Sequence, residues 1–126
     1  MKLILAIGMG GFCGAIARHG FNLAFKRFAD FPWSTFAANM TGCLLIGLLM
    51  ALVLDRKMTS ETMTAFLVTG CLGSLTTFST FSLQSLELIQ AGRINAAAIN
   101  ILLNVIVGLS AVFLGMKLAR LLFAAG

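Results

Sequence analysis

The chain has 126 residues, of which 60% are hydrophobic and 10% charged, with a net charge of +5. That composition is too apolar for a soluble domain of this length. The basic residues fall mostly in short connections and at the ends, with no patch interleaved with exposed aromatics, so nucleic-acid binding is disfavoured.

A bilayer crossing takes about 20 apolar residues, so the length fits roughly four spans joined by short connections. The expected fold is an all-α integral membrane protein with residues 1–126 as one four-helix transmembrane domain. The first span is expected over 3–25. Its start, Met1-Lys2-Leu3-Ile4-Leu5-Ala6, has the look of a secretory signal. No cleavage site follows before Arg18 and more spans come later, so it reads as a retained membrane helix. Gly10 and Gly14 stand at G-x-x-x-G spacing, with Gly8 and Gly11 nearby, which lets helix backbones approach. Arg18 has two open readings: it snorkels toward the headgroups with Lys26 and Arg27, or it draws anions into a vestibule. His19 reads as a helix-end residue near the interface.

The second span is expected over 34–54, after a connection that contains Pro32 and the interfacial Trp33. It carries Asn39 in its first third. The third span is expected over 63–89, with Thr59-Ser60-Glu61-Thr62 capping its start. The fourth is expected over 96–123. There Asn100, Asn104, Gly108 and Gly115 share a face, and the asparagines are expected to bond across to a neighbouring helix.

The third span holds the most telling run, Gly73-Ser74-Leu75-Thr76-Thr77-Phe78-Ser79-Thr80-Phe81-Ser82. Six of those ten residues are hydroxyls, which membrane depth tolerates only against protein or a water-filled cavity. Glycine with clustered Ser and Thr favours a broken third helix, around 73–77. The carbonyls so released must be buried in protein or bind something.

Enzyme chemistry is disfavoured. The acids Asp30, Asp55 and Glu61 sit in connections and Glu87 near a span end, so no carboxylate pair, Ser/His/Asp set or metal cluster assembles at depth. Cys13, Cys43 and Cys71 lack metal-ligand spacing and read as small packing residues. Proton-coupled carriers need an acid within a span, and none is found at depth. What remains are hydroxyls and amides, which donate hydrogen bonds to an anion, and phenylalanine rings with positive edges. Phe78 and Phe81 share one helix face, continued by Ser82 and Ser85, with Thr80 and Gln84 on the adjacent stripe. For the two rings, ordinary packing and edge-on contact with an anion are both open readings.

Orientation is unspecified by charge. Lys2, Arg56, Lys57, Lys117 and Arg120 fall on one side, against Arg18, Lys26, Arg27 and Arg93 on the other, five against four. A chain that inserts both ways can form an antiparallel dual-topology homodimer about a closed two-fold axis.

The run from Gly73 to Ser82, together with Ala38-Asn39-Met40-Thr41-Gly42 and Gly14-Ala15-Ile16-Ala17-Arg18, resembles the Fluc (CrcB) fluoride channel family over essentially the whole chain. The resemblance implies a passive fluoride-selective channel in the bacterial plasma membrane that lets toxic cytoplasmic fluoride leave. It implies an antiparallel homodimer in lipid with two pores. Phe78 and Phe81 would turn ring edges to fluoride, Asn39 would donate an amide hydrogen bond, and Thr80 and Ser82, with Ser79, would supply the hydroxyl track. Arg18 would stand near a pore entrance. A structural, untransported sodium ion (Na+) would bind backbone carbonyls of Gly73 and Thr76 from both subunits. Two departures from the family pattern stand out. Gln84 replaces a common glutamate, and Asn104 lies where a Tyr or His is common. The alternative is a small four-span multidrug exporter, which would want a carboxylate in the first span, where 3–25 has none. A third reading is a membrane assembly subunit that transports nothing.

Overall fold

A computed structural model describes residues 1–56 and 60–123. Lys57, Met58 and Thr59, and with them part of the expected second connection and cap, lie outside the described residues. All regular structure among the described residues is helical. Helix α1 is Lys2–Ala24 and α2 is Trp33–Arg56. Helix α3 (61–75) begins as Glu61–Thr64, widens into π-helix over Ala65–Leu72 and closes with Gly73–Leu75. Helix α4 is Phe78–Gln90. Helix α5 (94–123) runs from Ile94–Leu102 through a π-helical turn, Leu103–Val107, to Gly108–Phe123.

Four stretches are long and apolar enough to cross a bilayer: Lys2–Ala24, Trp33–Val53, Glu61–Gln90 and Ile94–Leu122. These match the four spans expected from hydropathy, with ends shifted by a few residues. Trp33, expected in a connection, opens α2, and the two π-helical stretches carry no hydropathy signal. Ser60 caps α3 as its sequence predicts, its Oγ accepting from the Met63 amide at 3.2 Å.

The chain closes its turns with ordinary chemistry. After α4, Gly92 adopts φ +73°, a left-handed conformation that glycine takes without a Cβ penalty. The Arg93 amide bonds the Leu88 carbonyl and the Gly92 amide bonds that of Ile89, both at 2.9 Å, which is a Schellman close. Arg93 then donates through Nη2 to the Asp30 carbonyl at 2.6 Å. This ties the α1–α2 connection to the α4–α5 connection at one end of the bundle.

Lipid tails are as apolar as leucine, so helices associate here through close packing rather than through the hydrophobic effect. Small residues provide it. A Cβ on Gly10 would collide with the Phe66 carbonyl, and one on Gly14 with that of Cys71, so α1 lies backbone-to-backbone on α3. Likewise a Cβ on Gly47 would strike the Val112 carbonyl and one on Gly115 that of Leu44, which seats α2 on α5. Between the pairs, Ala38, Leu72 and Leu75 form a buried centre flanked by Phe21, Ile46 and Leu49. Phe12, Ile16, Leu109 and Leu121 point outward and suit contact with lipid.

Replacing Gly14 with Val should cost at least the roughly 1–3 kcal/mol typical of overpacking, because backbone rather than a flexible side chain stands in the way. Gly8→Ala meets nothing within 4 Å and should be silent. Thermal unfolding of purified protein in detergent checks both. A lower melting point for Gly14→Val alone is the expected outcome.

Candidate functional site

Helices α3 and α4 are separated by two residues in extended conformation. Thr76 has φ −79° and ψ 153°, and Thr77 has φ −151° and ψ 112°. The Thr76 amide still reaches the Leu72 carbonyl at 3.0 Å, and its hydroxyl donates to the same oxygen at 3.0 Å. The Thr77 amide does not continue the pattern. In a continuous α-helix it would bond the Gly73 carbonyl four residues back. Instead it donates to Oδ1 of Asn39 on α2, at 2.9 Å. An asparagine side chain has taken the place of a helical carbonyl, and the Gly73 carbonyl has lost its regular partner.

Thr77 then starts α4. Its Oγ1 accepts from the Thr80 amide at 3.2 Å, an N-cap, and donates to Thr80 Oγ1 at 3.0 Å. Ser79 Oγ lies 3.3 Å from Thr77 Oγ1. Because Thr80 Oγ1 accepts from Thr77, its own hydrogen is free to donate elsewhere. Ser82 is exposed and back-bonds to the Phe78 carbonyl at 2.9 Å.

The cap fixes where the rings stand. Phe78 and Phe81 are 5.5 Å apart between centroids and tilted by 53°. Phe78 is 80% exposed within the single chain, whereas Phe81 is 8% exposed. Both border a cavity of about 350 Å³ together with Asn39, Thr76, Thr77 and Asn104. Apolar side chains such as Met40, Ile46, Val68 and Leu72 complete the wall, and none of the lining residues carries a charge. The wall thus presents hydroxyl, amide and aromatic groups and backbone dipoles to a poorly screened space.

The amides are not free. With Oδ1 fixed by the Thr77 amide, Asn39 Nδ2 donates to Asn104 Oδ1 at 3.0 Å and lies 3.5 Å from the Thr77 carbonyl. Asn104 Nδ2 donates to the Asn100 carbonyl at 3.0 Å and to Asn100 Oδ1 at 3.1 Å. Asn100 Nδ2 donates to Ser85 Oγ at 2.9 Å, and Ser85 donates to the Phe81 carbonyl at 2.8 Å. The fourth-span asparagines thus bond to neighbouring helices as expected, and Asn100, at 1% exposed, is the largest fully buried side chain among the described residues.

The structure brings Phe78, Phe81 and Asn39 to one cavity, with Thr80 bonded behind Thr77. Ser82 and Arg18 do not line that cavity. Arg18 is half-buried on α1 and makes no hydrogen bond or ion pair with another described residue. Gly73 is exposed and Thr76 half-buried, both at the cavity wall. Sequence reading set Ser85 on the face of the two rings but gave Thr77 and Asn100 no site role of their own. Two polar residues of one span facing the bundle interior are the signal that points to Asn100. Gln84 Oε1 is buried without a partner among the described residues, and Gln84 lines a separate recess with Glu87 and Arg93.

Four helical stretches of bilayer length, three of which line an uncharged and largely apolar cavity bordered by Thr76, Thr77, Asn39 and Asn104, define a small multi-pass integral membrane protein. Residues 5–116 match the family model described as CrcB-like protein, Camphor Resistance (CrcB). The chain is 44% identical over 126 residues to the Fluoride-specific ion channel FluC of Clostridium perfringens, covering 97% of this chain and 98% of that protein. It is 43% identical over 122 residues to the protein of that name from Agrobacterium fabrum, covering 95% and 98%. Against that of Salinibacter ruber it is 42% identical over 117 residues, covering 91% and 87%. The chain belongs to the CrcB family, a multi-pass family of the bacterial plasma membrane whose curated relatives are named as ion channels rather than enzymes.

Asn39→Leu should leave the Thr77 amide without an acceptor in a buried place and cost about 1–3 kcal/mol. Thermal unfolding in detergent measures it. An unchanged melting point would mean that the Thr77 amide finds another partner.

Proposed function

We propose that the chain is a passive fluoride-selective channel that lets cytoplasmic fluoride leave the cell, and that it works as an antiparallel dual-topology homodimer with two pores. One observation carries the reading. Phe78, Phe81 and the hydroxyl-bearing corner at Thr76 and Thr77 converge on one uncharged cavity, in a chain whose relatives are named fluoride-specific ion channels.

Fluoride is small and strongly hydrated, so its passage needs close replacements for water. Thr80 offers a hydroxyl hydrogen with no acceptor among the described residues. The rings offer positive edges 5.5 Å apart between centroids. Ser82 can join by rotating away from the Phe78 carbonyl. The Asn39 NH2, committed to Asn104, acts mainly by holding the corner, and contributes to an ion only if that bond is exchanged. Arg18, with no anionic partner among the described residues, would raise anion concentration near an entrance.

What the single chain leaves uncovered supports the homodimer. Phe78, Ser79, Ser82 and Gly73 are exposed at membrane depth, where lipid is a poor neighbour for hydroxyls and free carbonyls. A second copy provides the cover. The two carbonyls proposed to hold sodium also suit the task. Gly73 has lost its Thr77 partner and Thr76 has left helical geometry, so neutral oxygens are available for a hard cation. A cation held there would be structural and would make the local potential favourable to a passing anion.

Phe78→Ile and Phe81→Ile should each lower fluoride efflux from proteoliposomes by about tenfold, the scale of one ring contact, while the dimer still elutes intact. Arg18→Ala should lower it by less than about tenfold. Unchanged efflux in both ring variants would return the rings to packing.

A further inference from the structure

One continuous set of hydrogen bonds behind the cavity runs in a single direction. The Thr77 amide donates to Asn39, Asn39 to Asn104, Asn104 to Asn100, Asn100 to Ser85, and Ser85 to the Phe81 carbonyl. Every amide uses its oxygen as acceptor from the group before and its nitrogen as donor to the group after. Such chains polarise each member, and reversing Asn104 would set donor against donor at Asn39 and oxygen against oxygen at Asn100. The ladder leaves the corner at Thr77 and returns to α4 at Phe81, so it encloses the segment that carries both rings. Only part of it touches the cavity: Asn39 and Asn104 line it, whereas Asn100 and Ser85 do not.

We propose that Asn100, with Ser85, is a positioning residue for ion passage: it holds Asn104 and, through it, Asn39 against the Thr77 amide, and so fixes the corner on which Phe78 and Phe81 stand. Asn100 never meets the ion. Its two acceptors, the carbonyl and Oδ1, take the NH2 of Asn104 and leave Asn104 Oδ1 facing Asn39. Its own NH2 fastens α5 to α4 at Ser85. Removing it releases Asn104 from one of its two anchors and leaves Ser85 without its donor. This proposal rests on the channel reading above.

The test combines flux with a structural readout that does not depend on flux. Wild type, Ser85→Ala, Ser85→Thr, Asn100→Leu and the packing control Leu88→Val are reconstituted in liposomes. Fluoride efflux is measured, and the Thr77 amide and Asn39 side-chain signals are recorded by solid-state NMR. Asn100→Leu should lower efflux by about tenfold, the population change that one lost buried hydrogen bond produces. It should also move the Thr77 amide proton upfield. Ser85→Ala should do both to a smaller extent, and Ser85→Thr, which keeps the hydroxyl, should restore both. Ser85→Ala keeps the test open if Asn100→Leu fails to fold. Unmoved Thr77 and Asn39 signals in Asn100→Leu, or in Ser85→Ala where that variant alone folds, overturn the proposal. So does an equal shift in Leu88→Val, which alters the same buried face without touching the ladder. If wild-type vesicles pass no fluoride, the channel reading fails, while the NMR signals still decide whether Asn100 positions the corner.

Discussion

One hydrogen bond organises the centre of this protein: the Thr77 amide on Asn39 Oδ1, at 2.9 Å. A membrane helix has no spare water with which to satisfy a broken backbone, so a break survives only where a side chain substitutes for the missing partner. Asn39 is that substitute. Because its carbonyl is held by Thr77, its NH2 must face α5, where Asn104 accepts it. The extended link at Thr76 and Thr77, the N-cap of α4 and the two rings that follow it all gather around this contact. The released Gly73 carbonyl is its by-product.

Glycines make the contact possible. Gly42 leaves room for the Thr76 methyl, which a Cβ there would strike. Gly10 and Gly14 bring α1 against α3 from the other side, so the corner is held between two helices. The cavity beside it stays uncharged, which matters for an anion in a poorly screened place. A carboxylate would repel it, and a buried ammonium would bind it too tightly for easy departure.

Much of this was legible in the sequence, for identifiable reasons. Four apolar stretches of bilayer length dictate four helices, and Ser60 and Gly92 mark helix ends by local chemistry alone. The hydroxyl run from Ser74 to Ser82 is out of place facing lipid, which singles out the site. The Asn39–Thr77 pairing spans 38 residues and depends on how α2 crosses α3, which periodicity does not encode. Asn39 therefore reads from sequence as a donor to an ion, while the structure gives its amide two neighbours within the chain. Asn100 stays hidden for the same reason. Its polarity is visible, but its partner 15 residues away on α4 is not.

The central claim is that neutral donors and ring edges carry a small anion through the membrane without an ionised acid. The most direct measurement compares fluoride and chloride efflux from liposomes holding the purified wild-type protein, with no proton gradient and with ion-selective electrodes on both anions. The account predicts fast fluoride release with chloride retained. Vesicles that keep their fluoride, or that lose both anions alike, would contradict it.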